Sequence, residues 1–195
     1  THLLEIGISI AANGNRWTGL EPAEYDQGQR DGVHEVLAVS TAGALIRRDV
    51  FEKLGGFDPN LDLFRDDVDF GWRLYSAGFA AIAVSSAVAF HAEASANERR
   101  SVDVAEAFLH RPLLLDRRNA AYVLLVNSSW WRLPLLTVQL LAGAIFRSIA
   151  FLFAKLPGYA GDEILAVGTQ FLHPAELFLA RKVRKTQRLV PSGIA

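Results

Sequence analysis

The run Phe64-Arg65-Asp66-Asp67-Val68-Asp69-Phe70-Gly71-Trp72-Arg73 decides how this chain is read. Its three carboxylates, Asp66, Asp67 and Asp69, fall within four positions of a stretch that otherwise has the residues of a buried element. Burying uncompensated carboxylates costs on the order of several kcal/mol, so such a cluster usually has a task. The pattern predicts a helix from Asp66 to Ala77, ended by Gly78. Asp66 can cap it, and Asp67 and Asp69 fall in its first turn, where the helix dipole favours negative charge. The plainest account is a capped helix whose carboxylates serve that dipole and pair with Arg65 or Arg73.

Upstream, Arg48 to Leu54 reads as a short helix ended by Gly55-Gly56, and Phe57-Asp58-Pro59-Asn60 as a turn. Val36 to Ile46 is apolar and β-rich, broken by Ser40-Thr41-Ala42-Gly43. Small residues there permit either close backbone approach by a ligand or a bulge in a tight core. Leu3 to Ala11 suggests a strand, and the glycine-punctuated residues from Ala12 to Val33 a long loop. Downstream, Ala80 to Val84 and Ala87 to Phe90 read as two strands meeting at Ser85-Ser86. His91 follows, just past a strand end, where sites form in α/β folds. A second account of the acidic run is a calcium loop. Asp58, Asn60, Asp62, Asp66 and Asp69 fall at EF-hand positions 1, 3, 5, 9 and 12. Leu63 stands where that loop needs glycine, and Asp69 where it needs glutamate.

The 195 residues fit one domain, or one domain with an appendage. A net charge of −1 gives no pull toward nucleic acid. Zero cysteines exclude disulfides and thiolate metal sites and suit a reducing compartment. The start, Thr1-His2-Leu3-Leu4-Glu5, carries no signal-peptide pattern and suggests a piece of a longer protein. The organisation changes near residue 115. Residues 1–115 alternate short apolar runs with Gly, Pro and Asp, whereas 116–195 carry long helical patterns.

The order of these pieces carries a resemblance. Ser40-Thr41-Ala42-Gly43 leads through Arg47-Arg48 to Gly55-Gly56-Phe57-Asp58. Then come Asp66-Asp67-Val68-Asp69-Phe70-Gly71-Trp72-Arg73, Ala77-Gly78-Phe79 and Ala87-Val88-Ala89-Phe90-His91. This order resembles the C-terminal half of family 2 glycosyltransferases of the GT-A fold, closely over residues 36–91 and loosely over 92–125. The fold implied is α/β: the C-terminal, acceptor-side part of a GT-A (Rossmann-like) domain over 1–115, followed by an α-helical extension over 116–195.

The resemblance also implies roles. Asp67, second of the pair, matches the general base that deprotonates the acceptor hydroxyl, and Asp66 supports the helix start or contacts the acceptor. Ala42, Gly43, Asp69, Trp72 and Arg73 are the matching substrate-binding positions. His91, 24 residues after Asp67, matches a ligand to the divalent metal, Mg²⁺ or Mn²⁺, on the donor diphosphate. The implied reaction is inverting transfer of a sugar from a nucleotide-sugar donor to a cell-envelope glycan or lipid-linked acceptor. In that family a nucleotide-binding half with an Asp-x-Asp motif lies upstream of such a segment, so this piece alone is expected to be inactive. The rival from another class is a non-catalytic interaction or membrane-docking piece.

The second half has a membrane character. Leu133 to Ala154 is mostly apolar, interrupted by Gln139 and Arg147. Trp130-Trp131 at its start and Lys155 at its end stand as interface anchors would. It reads as an interfacial helix, a marginal span or a core helix, with a broad apolar face left exposed. Arg181, Lys182, Arg184, Lys185 and Arg188 form either a basic face toward anionic lipid or a solvated helix end. Arg99, Arg100, Arg111, Arg117 and Arg118 either meet phosphates or line a solvated face. Together these features suggest the cytoplasmic face of the cell membrane.

Overall fold

A computed structural model describes residues 2–61, 63–90 and 111–190 of the chain. Strands are few, and helices dominate. β1 (Ser9–Ile10) and β2 (Arg16–Trp17) form an antiparallel hairpin, and β3 (Val33–Val36) pairs antiparallel with β4 (Ala81–Val84). Reciprocal hydrogen bonds between Ile8 and Ala38 (2.9 and 3.2 Å) join the two ribbons. The strand expected over Leu3–Ala11 is thus reduced to two residues. The expected loop over 12–33 contains β2. Ala87–Phe90 is not a strand, because pairing with β3 ends at Val84 and the chain turns at Ser85-Ser86. Every strand pairing among the described residues is antiparallel, unlike the parallel sheet of a Rossmann-like core.

α1 (Arg48–Lys53) ends at Leu54, and Gly55 and Gly56 take the left-handed conformation that terminates it. Behind it, the rings of Phe51, Phe57 and Phe70 pack with centroids 5.2 to 5.5 Å apart, over Val50, Leu54 and Ala77. α2 (Asp66–Ser76) lies across the β3 extension so closely that a β-carbon on Gly71 would stand 2.3 Å from the Leu37 carbonyl oxygen. Only glycine permits that approach.

α3 (Pro112–Asn127) begins with proline at a position that needs no N–H and is buried all round from Asn119 to Asn127. It is the spine of the molecule. Ala121 to Val126 share one core with Ile8, Ala38, Val68 and Trp72 on one side and with Leu140, Ala144 and Val167 on the other. That core crosses residue 115. Trp130–Arg132 form a 3-10 turn into α4 (Leu133–Phe153), followed by α5 (Pro157–Leu172) and α6 (Pro174–Gln187). α5 packs against both α3 and α4, whereas α4 touches α3 little. Glu163, fully buried, binds Arg117 of α3 (3.1 Å) and Arg147 of α4 (2.7 Å), and Asp162 pairs with Arg111. Arg111 and Arg117, read as possible phosphate contacts, are therefore spent on tying helices together. Arg99 and Arg100 lie outside the described residues.

Candidate active site

The acidic run enters its helix through a strained step. Phe64 and Arg65 both have positive φ (64° and 69°), which costs non-glycine residues about 1–3 kcal/mol each unless the surroundings enforce it. Here they do. The Asn119 side-chain amide donates to the carbonyls of Leu63 (2.5 Å) and Phe64 (3.1 Å). The buried Arg65 guanidinium forks onto Asp116 (2.7 and 3.0 Å) and donates to the Gly14 carbonyl (3.0 Å). α2 therefore starts at Asp66 itself. Arg65 occupies the cap position without a side-chain capping bond, so Asp66 is not the cap that the sequence suggests.

Asp67 lies on the wall of a cleft of about 320 Å³, formed by the 38–47 segment, the adjacent face of α2 and residues 79–82. The lining is mainly apolar: Ile46, Val50, Phe70, Leu74 and Phe79 surround a single carboxylate. Asp67 is only 10% exposed at its side chain, where Oδ2 accepts from Arg16 Nη2 at 3.0 Å and Oδ1 accepts from the Val68 N–H at 2.7 Å. Arg16 also holds Glu5 at 2.6 Å. Burial pushes the Asp67 carboxyl above its ordinary value; Arg16 opposes that, and the neighbouring Asp66 charge adds to it. The charged form of Asp67 is thereby disfavoured relative to a solvated carboxylate. Thr41 and Ala44 line the same cleft, with Ala42 and Gly43 between them on an exposed 3-10 turn capped by Ser40 Oγ.

Asp69, Trp72 and Arg73 do not reach this cleft. Trp72 is 2% exposed, with its indole N–H unpartnered among the described residues. Asp69 is fully buried: Oδ2 accepts from Arg73 Nε (2.8 Å), and Oδ1 from Asn127 Nδ2 (2.8 Å) and Arg184 Nη2 (2.7 Å). Arg73 also donates to the carbonyls of Leu54 (2.8 Å) and Gly56 (2.7 Å), tying α2 to the turn after α1. Arg184 continues to Asp58 (2.5 Å), which accepts from Tyr122 as well (2.8 Å). Burial raises the Asp58 carboxyl, but the bonds from Arg184 and the Asn60 N–H outweigh it and leave Asp58 below its ordinary value.

This network corrects two readings. The proposed calcium ligands Asp58 and Asp69 share a guanidinium of the chain itself. The basic run is not a uniform basic face either: Arg184 is buried, and Arg181 and Arg188 donate to the carbonyls of Leu125 and Asn127. Only Lys182 and Lys185 of the five are exposed.

His91, the expected metal ligand, and Asp62 lie outside the described residues. Among the described residues, no group of three or more His, Cys, Asp or Glu side chains is placed to hold a metal. Arg16 binds both Glu5 and Asp67, so its guanidinium stands where these two carboxylates could otherwise share a metal.

The sequence matches the family described as glycosyl transferase family group 2 over residues 2–161. The chain belongs to the family 2 glycosyltransferases. This glycosyltransferase-family chain is similar to N-acetylglucosaminyl-diphospho-decaprenol L-rhamnosyltransferase from two strains of Mycobacterium tuberculosis, 32% identical over 129 residues. That match covers 62% of the chain and 36% of the relative, so the chain spans about a third of that protein's length. It is also 30% identical to the O-antigen biosynthesis protein RfbC of Myxococcus xanthus over 105 residues, 52% of the chain and 8% of that protein. No solved structure matches.

Arg16, Asp116, Asn119, Asn127 and Arg184 had no sequence signal pointing to the acidic run. Each lies more than 50 residues along the chain from its partner in or beside that run, and no local periodicity links such residues.

Proposed function

We propose that this chain supplies the acceptor side of an inverting glycosyltransferase with a GT-A catalytic domain. The enzyme moves a sugar from a nucleotide-sugar donor to a cell-envelope glycan or lipid-linked acceptor at the cytoplasmic face of the membrane. The observation that carries the reading is Asp67: a desolvated carboxylate on the wall of an apolar cleft, at the start of the helix that opens the acidic run.

An acceptor hydroxyl is a weak nucleophile until a base takes its proton in the transition state. A hydroxyl in the cleft donates its proton to Asp67 as its oxygen attacks the anomeric carbon. The bond to the diphosphate breaks, and configuration inverts. The Val68 N–H and Arg16 hold the carboxylate in one orientation before and after transfer. Asp66 supports the helix start, while the exposed Ala42 and Gly43 leave room for substrate beside the cleft. The apolar walls accept the carbon face of a sugar or the first carbons of a lipid carrier. The names of the relatives, a decaprenol-linked rhamnosyltransferase and an O-antigen protein, support an envelope acceptor. Family 2 enzymes commonly use a divalent metal, Mg²⁺ or Mn²⁺, and the resemblance assigns His91 to it.

The test is Asp67→Asn in the full-length protein, assayed by transfer of labelled sugar onto a lipid-linked acceptor. Turnover should fall by about two orders of magnitude or more. Near-normal turnover by a folded Asp67→Asn protein rejects the assignment.

A further inference from the structure

The α4–α5 pair has its polarity turned inside out. Its charged residues face inward: Arg147 and Glu163 bind each other, and Asp162 pairs with Arg111. Gln170 also points inward, its amide donating to the Arg118 carbonyl. From Leu133 to Leu172 the fully exposed positions are almost all apolar, with Gln139 on α4 and Lys155 at the turn as the polar exceptions. Phe146 is 74% and Phe153 85% exposed, with Leu135, Val138 and Ile145 beside them. A water-facing helix pair shows the opposite pattern, and large exposed apolar faces mark contact sites. Trp130 and Trp131, both exposed, stand at one end of α4 as residues of a membrane interface do.

By length and composition, Trp130–Phe153 is long and apolar enough to cross a membrane. Its packing points elsewhere. α3 is clamped to the acidic-run side along its length, through Asp116, Asn119, Tyr122 and Asn127. α5 runs beside α3 in the same direction, since Arg111 meets Asp162 and Arg118 meets Gln170. α4 returns antiparallel along α5, with Arg147 on Glu163 and Ser148 on the Ala160 carbonyl. An upright α4 would carry α3 and the polar network behind it into the hydrocarbon. Lying flat, α4 and α5 present their apolar sides to the bilayer and keep that network out.

We infer that α4 and α5 form an in-plane hairpin embedded in one leaflet of a lipid bilayer, held there by apolar burial rather than by attraction to anionic lipid. This deepens the membrane part of the reading above and is independent of the sugar-transfer chemistry. Arg181, Arg184 and Arg188 are spent on the interior, which removes most of the charge that would attract anionic headgroups.

Two measurements on the full chain test it. In flotation, the chain should rise with neutral phosphatidylcholine vesicles, and adding phosphatidylserine or raising salt should change the bound fraction less than about twofold. The chain has no cysteine, so Val138→Cys, Ile145→Cys and Leu152→Cys each place one spin label on one side of α4. An in-plane helix gives the three labels equal, shallow depths. A spanning helix gives a maximum at position 145, because positions 138 and 152 lie about 21 Å apart along the axis. That profile overturns the in-plane inference and leaves membrane association standing. No flotation with either vesicle overturns both, as does a dimer that hides α4 and stays in the aqueous fraction. Binding that requires phosphatidylserine and is lost in salt overturns the apolar mode.

Discussion

Replacing Arg184 with Met keeps the length and stem of the side chain and removes its charge. In the native network Arg184 and Arg73 balance Asp58 and Asp69. The substitution leaves one net negative charge among side chains that are at most 7% exposed. Asp69 keeps Arg73 and Asn127, and Asp58 keeps Tyr122 and Asn60, but each loses a charged partner at 2.5 to 2.7 Å. Removing one partner of a buried ion pair costs about 3–5 kcal/mol. That is a large share of a typical domain's total of about 5–15 kcal/mol. At about 2–4 °C per kcal/mol for a chain of this size, Tm should fall by roughly 6–20 °C.

The pH dependence has a definite sign. Asp58 is held below its ordinary value in the fold, so its contribution is present above its unfolded-state value and is lost as pH falls through the folded one. The stability gap between wild type and Arg184→Met should therefore narrow as the solution is acidified through the carboxylate range. Adding Asp69→Asn to Arg184→Met restores neutrality and should recover part of the loss, about 1–3 kcal/mol. Urea and thermal denaturation at matched pH measure all three. A loss under about 1 kcal/mol for Arg184→Met, with a cooperative transition, would refute the reasoning and mean that water replaces the guanidinium at little cost.

Gly71→Ala places a methyl group 2.3 Å from the Leu37 carbonyl and should cost about 1–3 kcal/mol in the same denaturation assay. Asp67→Asn should be at least as stable as wild type. Its folded pKa is raised, so the ionised form subtracts stability at neutral pH, and a cooperative transition at lower urea would contradict this. In the full-length enzyme, the acid limb of kcat/KM should lie above the ordinary carboxylate value of about 3.9. Arg16→Gln removes the charge that lowers the Asp67 pKa, so that limb should move further upward, and an unmoved limb would detach Arg16 from the titration.

The helical signals transferred well because they are local. Gly55-Gly56 and Gly78 stop α1 and α2 where expected, and the long apolar pattern after residue 133 becomes α4. The strands transferred poorly. Leu3–Ala11 and Val36–Ile46 have the composition of buried strands, but their hydrogen bonds go to short antiparallel ribbons, an isolated bridge and a 3-10 turn. Composition reported neither pairing nor burial here: within 36–46 only Ala38 is buried, and Leu45 is exposed. At the site, the acidic run stood out in the sequence, but its position beside the small-residue segment, on one cleft with Thr41 and Ala44, did not. Which carboxylate faces the cleft and which is sealed was not legible. Asp67 and Asp69 are two residues apart, and helical geometry sends them to different sides. Arg73, four residues on, holds one oxygen of Asp69, but Arg184, which holds the other, lies 115 positions away.

Arg184 also sets the order in which the protein can be completed during synthesis. The acidic run leaves the ribosome more than a hundred residues before the guanidinium that stabilises it. Until α6 emerges and folds back, Asp69 has Arg73 but Asp58 has no cation, so one negative charge of the network stays unbalanced and favours hydration. Non-local closure of this kind is slow, because chain entropy must be lost before the contact forms. A nascent or prematurely terminated chain therefore carries the whole acidic run without the guanidinium that ties Asp69 to Asp58.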